Sequence, residues 1–382
     1  MKPLPHAPAG VAPIVAVPVK DEAERIGTCL RALCAQRDAP SHQLLLLLND
    51  TTDATLALVH GLMPRLPMPV HVVEHRFAPG AGGAGMARRS AMRRAADLAG
   101  AHGILLTTDA DGQVAPDWLA ANLYHLRHGA DAVAGRAEIE PADAALIPPR
   151  LHADDAREVA YATLLDEIAH LLDPDPADPW PRHTEHSGAS IAVTAAAYHR
   201  AGGIPAVPVG EDRAFFDALR RTDARIRHAP EVRVTVSGRT VGRAVGGMAD
   251  TIRRRLAVPD PFLDDRLEAT AAFARRVGLR RRVRAAHAAG MPRALAGALA
   301  RDLGMDAADL RRVCTAFGFG AAWAEVEARS PVLARAPVPV AALADETALA
   351  LQLRDALRTA GAVRAATRGG AVPAVRGPLP AG

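Results

Sequence analysis

Short apolar runs alternate with helix-like stretches through the first third of the chain, and that alternation restricts the fold more than any other feature. β-type runs at residues 12–19, 44–48, 70–74 and 103–108 are separated by helical patterns at 22–36, 53–62 and 86–98. Strands that pair in parallel need a crossover between them, and a helix supplies it. The order therefore predicts an α/β fold, a mostly parallel sheet flanked by helices. In such sheets ligands sit at the carboxyl ends of the strands, so the loops opening at Pro18, Asn49, His75 and Asp109 are expected to share one edge.

The fourth of these runs ends in Thr107-Thr108-Asp109-Ala110-Asp111-Gly112. Alternate residues of an extended segment share a face, so Asp109 and Asp111 can approach one divalent cation if the strand continues past its sheet. Hard carboxylate oxygens favour Mg2+ or Mn2+. Asp-x-Asp-Gly is equally an ordinary exit from a strand into a turn, and the order of motifs around it has to decide.

Composition removes several classes of function. A chain of 382 residues with 49% hydrophobic content has room for one large or two ordinary domains and a substantial core. No window approaches the roughly 18 apolar residues that span a bilayer, and residues 1–11 lack the apolar core of a signal peptide. The expectation is a soluble, cytoplasmic protein. Cys29, Cys34 and Cys314 form neither a disulfide framework nor a CxxC pair, which suits a reducing compartment and buried thiols. The net charge of +4 and pI near 9.3 raise the question of nucleic acid. Residues 241–300 carry 12 Arg against 5 acids, so the remainder is slightly acidic, and few aromatics accompany those arginines. Without stacking platforms, no nucleic-acid partner is expected.

Gly80-Ala-Gly82-Gly83-Ala-Gly85 matches GxGxxG before a helix, but a dinucleotide fingerprint follows the first strand directly and is answered by an acid roughly 20 residues on. Here the glycines follow the third strand after His75-Arg-Phe-Ala-Pro79, so a flexible loop over a nucleotide site, or a plain linker, is the better reading. Further along, a helical pattern at 158–172 precedes Asp173-Pro-Asp-Pro-Ala-Asp-Pro-Trp-Pro-Arg182, whose four prolines exclude regular structure. From about residue 251 the chain is Ala- and Arg-rich with helical spacing, for instance at 261–277 and 292–303. The Gly-, Pro- and Ala-rich stretch 368–382 has no apolar periodicity and is expected to be disordered.

Read in order, Val17-Pro18-Val19-Lys20-Asp21-Glu22, Leu48-Asn49-Asp50-Thr51-Thr52-Asp53, Gly85-Met-Ala-Arg88-Arg89, the Asp109 pair, and Gly202-Gly203-Ile204-Pro205 with Gly210-Glu211-Asp212 resemble the family 2 glycosyltransferases of the Rossmann-like GT-A fold over roughly residues 12–240. The resemblance implies an inverting, metal-dependent transfer of sugar from a nucleotide-diphospho-sugar donor to an acceptor hydroxyl or amine. It implies that Pro18 and Glu22 line the nucleoside pocket. Asn49 and Asp50 stand where the family has an acidic pair that bonds base or ribose, with Asn in the first place. Arg88 matches a family arginine suited to base or phosphate contacts through its planar fork, although Arg89 follows where the family has Asn. Asp109 and Asp111 would hold the metal beside the donor diphosphate, and Asp212 matches the family's base, with Glu211 the second candidate. For Arg88 and Arg89 a solvated helix start remains open, and for Glu211 and Asp212 a helix N-terminal charge.

His183, His186 and His228 are further candidates, with His228 a third metal ligand or a structural histidine. Trp180 is a stacking face for a sugar ring or a core plug. Arg243 and its neighbours after Ser237-Gly238-Arg239 are expected to clamp the diphosphate or face an anionic acceptor. The expected division is an N-terminal segment 1–11, a transferase domain 12–240, a helical region 241–367 and a tail 368–382. The basic 241–300 segment leaves a peripheral contact with anionic lipid open. Competing readings are a nucleotidyltransferase, which needs glycines after the first strand that residues 17–22 lack, a non-catalytic nucleotide-binding scaffold, and an NAD oxidoreductase.

Overall fold

Residues 44–48 are five consecutive leucines, all buried, and a strand buried on both faces is what the centre of a helix-covered sheet requires. In the computed structural model, which describes residues 12–239 and 248–369, they lie in β2 (Gln43–Asn49). With it run β1 (Ile14–Val19), β3 (Val70–His75), β4 (Ile104–Thr107), β5 (Gln113–Val114), β6 (Ala132–Ile139), β7 (Ile191–Thr194) and β8 (Ile226–Val236). They form one sheet in the order β3-β2-β1-β4-β7-β6-β8-β5. The β3-β2-β1-β4 half is parallel throughout. β7 then runs antiparallel to both β4 and β6, and β8 lies parallel to β6.

The alternation of β1 sorts its side chains onto two faces. Val15, Val17 and Val19 join Leu44 and Leu46 in one core, covered by α1 (Ile26–Cys34), α2 (Thr55–Leu62) and, past α3 (Ala84–Ala99), by α4 (Trp118–Arg127). Ile14, Ala16, Leu45 and Leu47 face the other way. There Ala87, Ala91 and Ala95 give α3 a smooth stripe against the strands. After the short α5 (Pro141–Ala144) and the long α6 (Pro149–Leu172), the same second core takes in α7 (Ala195–Arg200) and α8 (Glu211–Arg221) through Ala197, Tyr198, Phe215 and Phe216.

Beyond the sheet come α9 (Met248–Ala257), α10 (Thr270–Ala288), α11 (Arg293–Leu303), α12 (Ala307–Ala316), α13 (Phe319–Arg329) and α14 (Leu343–Gly369). Leu279, Val283, Leu299, Leu310, Val313 and Val326 unite α10 to α13 in a core of their own. Tyr161, Leu165 and Ile168 of α6 pack with Leu343 and Ala350 of α14. Among the described residues no helix is long and apolar enough to cross a membrane.

Three expectations shift. The first helix begins at Ile26 rather than Glu22, because residues 22–25 form a turn that braces the neighbouring loop. The helix expected over 261–277 begins at Thr270. Before it the chain runs alongside residues 338–340, with Leu263 N–H donating to Val338 O at 2.9 Å and Val340 N–H to Pro261 O at 3.0 Å. Residues 368 and 369, expected in a disordered tail, end α14. The segment 1–11, the tail from 370, and Arg243 lie outside the described residues.

Candidate active site

Strand direction assembles the site. β1, β2, β3 and β4 are parallel, so the loops after Val19, Asn49, His75 and Thr107 leave one edge, as expected. Because β7 is antiparallel, its entry loop arrives at that same edge, with Ile191 opposite Thr107. β6 and β8 again point with β4, which brings Ser237-Gly238-Arg239 there too. A cavity of about 2320 Å3 opens along this edge and continues to the C-terminal helices. Its walls include Pro18, Glu22, Asn49, Asp50, Arg88, Asp109, Asp111, Glu211, Asp212 and His228, so these ten candidates converge on one space.

The loops after β1 and β2 are locked to each other. Asp21, at φ 50°, accepts from the N–H groups of Thr52 at 2.7 Å and Asp53 at 3.2 Å. In return Glu22 N–H donates to Thr55 Oγ1 at 2.8 Å. Asp50, also left-handed at φ 48°, accepts from Phe77 N–H at 3.1 Å and so ties the glycine-rich loop to β2. Asp21 and Thr52 belong to the quoted motifs and Thr55 follows two residues after the second, yet their role in bracing two loops cannot be read from either motif alone.

Arg88 is the hub. It projects from the first turns of α3 and is 4% exposed. Its Nε donates to Glu211 Oε1 at 3.0 Å, Nη1 to Gly188 O at 2.6 Å and Thr107 Oγ1 at 3.3 Å, and Nη2 to Asp109 Oδ1 at 2.6 Å. Burial alone would lower its pKa, but the charges of Asp109 and Glu211 outweigh that and raise it. The guanidinium is thus engaged with protein acceptors at all three nitrogens. That burial departs from a solvated helix start. Two glycines make room for it. A Cβ on Gly188 would stand 2.5 Å from the guanidinium, and one on Gly85 would stand 2.9 Å from Glu211 Oε2. Gly85 of the GxGxxG pattern therefore serves close packing of the site. Arg89 donates instead to Ile204 O at 2.8 Å.

Asp109 and Asp111 both line the cavity, with side chains 31% and 17% exposed. Arg239 bridges the edge, donating to Glu22 Oε2 at 2.9 Å and lying 3.2 Å from Asp111 Oδ2. Burial, then the charge of Asp109, pushes the Asp111 carboxyl up to about 6. Glu22, Asp109, Asp111, Glu211 and Asp212 outnumber the two arginines packed among them, so this end of the cavity carries surplus negative charge. Two crowded carboxylates lining the cavity fit a hard divalent cation that completes its shell with water and substrate oxygens. Asp212 receives Gly188 N–H at 3.0 Å and Arg213 N–H at 2.7 Å.

His228 does not join the acidic pair. Its Nδ1 lies 2.7 Å from Asp178 Oδ2 and its Nε2 lies 3.0 Å from His186 Nε2, so both nitrogens are taken. Among the described residues no group of three or more His, Cys, Asp and Glu side chains could hold a metal. The expected third ligand is thus replaced by a structural histidine anchored on Asp178. Burial pushes His183 down to about 4, assisted by His228. Trp180 packs towards His170, ring centroids 6.3 Å apart, and is not among the residues lining the cavity. Asp178, which also accepts the His228 N–H at 2.9 Å, comes from the proline-rich loop and carried no signal in the sequence as a site-organising residue.

No curated protein matches the sequence at a significant level. Among solved structures, S. aureus TarS residues 1–349 in complex with UDP is 15% identical, with 80% of this chain and 90% of that one covered and a TM-score of 0.42. The mannosyltransferase PcManGT from Pyrobaculum calidifontis, in complex with GDP-Man and Mn2+, is 18% identical over 84% of this chain and 90% of that one, with a TM-score of 0.40. Glucosyl-3-phosphoglycerate synthase from Mycobacterium tuberculosis, in complex with Mg2+ and UDP, is 17% identical over 66% and 82%, with a TM-score of 0.37. Residues 14–176, which run from β1 past the acidic pair to beyond the end of α6, match the family model for Glycosyl transferase family 2.

Proposed function

We propose that the chain moves a sugar from a nucleotide-diphospho-sugar to an acceptor hydroxyl or amine with inversion, and that Asp109 and Asp111 hold Mg2+ or Mn2+ for the purpose. The observation that carries this reading is the buried Arg88, which joins Asp109 at the exit of β4 to Glu211 at the start of α8. It fixes the two acidic segments across one cavity. A divalent cation there would supply charge neutralisation for the departing diphosphate. Pro18, Glu22, Asn49 and Asp50, on loops that brace one another, form the wall for the nucleoside. A cytoplasmic location belongs to this reading, since a reducing compartment keeps the thiols of Cys29, Cys34 and Cys314 free.

In a single displacement, the acceptor oxygen or nitrogen bonds to the anomeric carbon as the bond from that carbon to the diphosphate oxygen breaks. The acceptor's proton goes to a carboxylate. Asp212 suits that task better than Glu211, since Glu211 is held by Arg88 whereas Asp212 accepts only backbone N–H groups and lines the cavity. Asp212→Asn is expected to lower kcat by about 10^2 to 10^4 with donor affinity unchanged. An equal loss in Glu211→Gln alone, with Asp212→Asn active, would exchange the two roles.

Donor class is tested by thermal shift with UDP, GDP, UDP-glucose, UDP-N-acetylglucosamine, GDP-mannose and NAD, each with and without Mn2+, because a ligand that binds only the folded state raises its stability. A manganese-dependent rise with one nucleoside diphosphate is expected. Stabilisation by NAD without metal would overturn the reading, and silence across the panel would favour a non-catalytic scaffold.

A further inference from the structure

The cavity changes character along its length. Its sheet end is acidic, but where α8 meets the C-terminal helices the wall turns to Arg220, Arg266, Arg280 and Arg284. Arg220 lies 2.8 Å from Asp217 Oδ1, and Arg266 approaches the other oxygen of the same carboxylate at 3.7 Å. Arg280, 3.0 Å from Asp173 Oδ2, shares that carboxylate with Arg284. In these pairs two carboxylates serve four guanidiniums, with Asp175 and Glu327 near Arg280 as further acids and with Asp264 and Asp265, which also pair with Arg213, near Arg266.

Hydrogen-bond accounting sharpens the excess. His186 stacks on Phe216, centroids 4.5 Å apart, and meets Arg266 at Nδ1 and Arg220 at Nε2, the latter at 2.9 Å. Its Nε2 also lies 3.0 Å from His228 Nε2. The Asp178 carboxylate is held below its ordinary range, against burial, chiefly by its bond to His228, so it stays ionised and only accepts. His228 must then donate from Nδ1. If His228 is neutral, its Nε2 accepts from His186 Nε2–H, and Arg220 faces an N–H. If His228 is charged, His186 accepts at Nε2 and Arg266 faces the N–H on Nδ1. Burial, then Arg220, His228 and Arg266, drives the His186 pKa down, so a second proton does not resolve the conflict. In each tautomer one arginine holds a donor without an acceptor on this ring.

We propose that Arg220 and Arg266, around His186, bind a phosphate group of the acceptor substrate. Phosphate supplies several acceptor oxygens and a negative charge to guanidinium forks, the two quantities this cluster lacks. Asp212 and Arg220 lie on one helix eight residues apart, about 12 Å along its axis. The acceptor is therefore one whose phosphate stands on the order of 12 Å from the nucleophile, reaching from the basic end of the cavity to the sugar-transfer end. This assignment rests on the transferase reading above. Both arginines line the same cavity as Asp212, which favours a soluble phosphorylated acceptor over the surface of a bilayer.

The test uses the full chain and inorganic phosphate in metal-free buffer. Phosphate is expected to raise the melting temperature of the wild type, with an apparent affinity at least about tenfold weaker in Arg220→Gln/Arg266→Gln. Arg220→Lys/Arg266→Lys, which keeps the charge, should retain part of the effect and guards against loss of fold. The UDP–Mn2+ shift should be the same in all three proteins. Equal phosphate binding in wild type and the Gln variant would overturn the site, as would competition between phosphate and UDP. Cosedimentation with phosphatidylglycerol vesicles that is lost in the Gln variant would overturn the acceptor assignment in favour of a lipid surface. If phosphate binding needs the arginines while no nucleotide binds the wild type, the anion site stands and the transferase reading beneath it falls.

Discussion

Asp111→Asn is expected to lower metal-dependent turnover by at least about 100-fold while the protein stays folded. Charge neutralisation by a bound metal supplies several kcal/mol in reactions of this type, and each 1.36 kcal/mol is about tenfold in rate. The amide keeps the shape and one acceptor oxygen but loses the charge that draws a hard cation. Fold is preserved because Asp111 sits at the end of the sheet among like charges, with Asp109 and Glu22 nearby, so removing one negative charge relieves as much as the weakened contact with Arg239 loses. The measurements are turnover at rising Mn2+ and the manganese dependence of the nucleotide-induced melting shift. Both should flatten in the variant. Wild-type turnover in Asp111→Asn, or a retained manganese response, would remove Asp111 from the metal site.

The sheet was legible because its strands are written in leucine and valine with helical patterns between them. Parallel direction then followed from connectivity, and with it the shared edge for the loops at Pro18, Asn49 and Asp109. The antiparallel insertion of β7 was not legible, since Ile191-Ala-Val-Thr194 is only four residues and carries no directional signal. That inversion is what carries Gly188 to the exit of β4. The partners of Arg88 were hidden for the same reason: Thr107, Asp109, Gly188 and Glu211 are distant in sequence, and a motif around Arg88 says only that a guanidinium is wanted. His228 misled through its residue type. Imidazole is a good metal ligand, but the acid that claims it, Asp178, lies in a proline-rich loop fifty positions earlier in the chain. Burial and pairing in three dimensions, rather than spacing, separated the structural histidine from the acidic pair.

Arg88→Met is expected to lower stability and activity together, and that joint loss distinguishes a hub from a donor-contacting arginine. Removing the cation leaves Asp109 and Glu211 without the counter-ion they share, and deleting one partner of a buried ion pair typically costs about 3–5 kcal/mol. A fall of about 10 °C in Tm is the corresponding size, at roughly 2–4 °C per kcal/mol. Turnover should fall further than stability explains, because both the β4 exit and the start of α8 lose their anchor. Arg88→Lys should recover only part of the loss, since a single ammonium cannot reach Glu211 Oε1, Gly188 O and Asp109 Oδ1 from one point as the planar fork does. If Arg88 instead touched the donor, its replacement by Met would weaken nucleotide binding and leave Tm unchanged. Chemical denaturation and nucleotide titration on the same three proteins separate the two cases. The close approach of Gly188 adds an independent handle: a methyl there meets the guanidinium itself, so Gly188→Ala should reproduce the Arg88 phenotype in milder form without removing any charge.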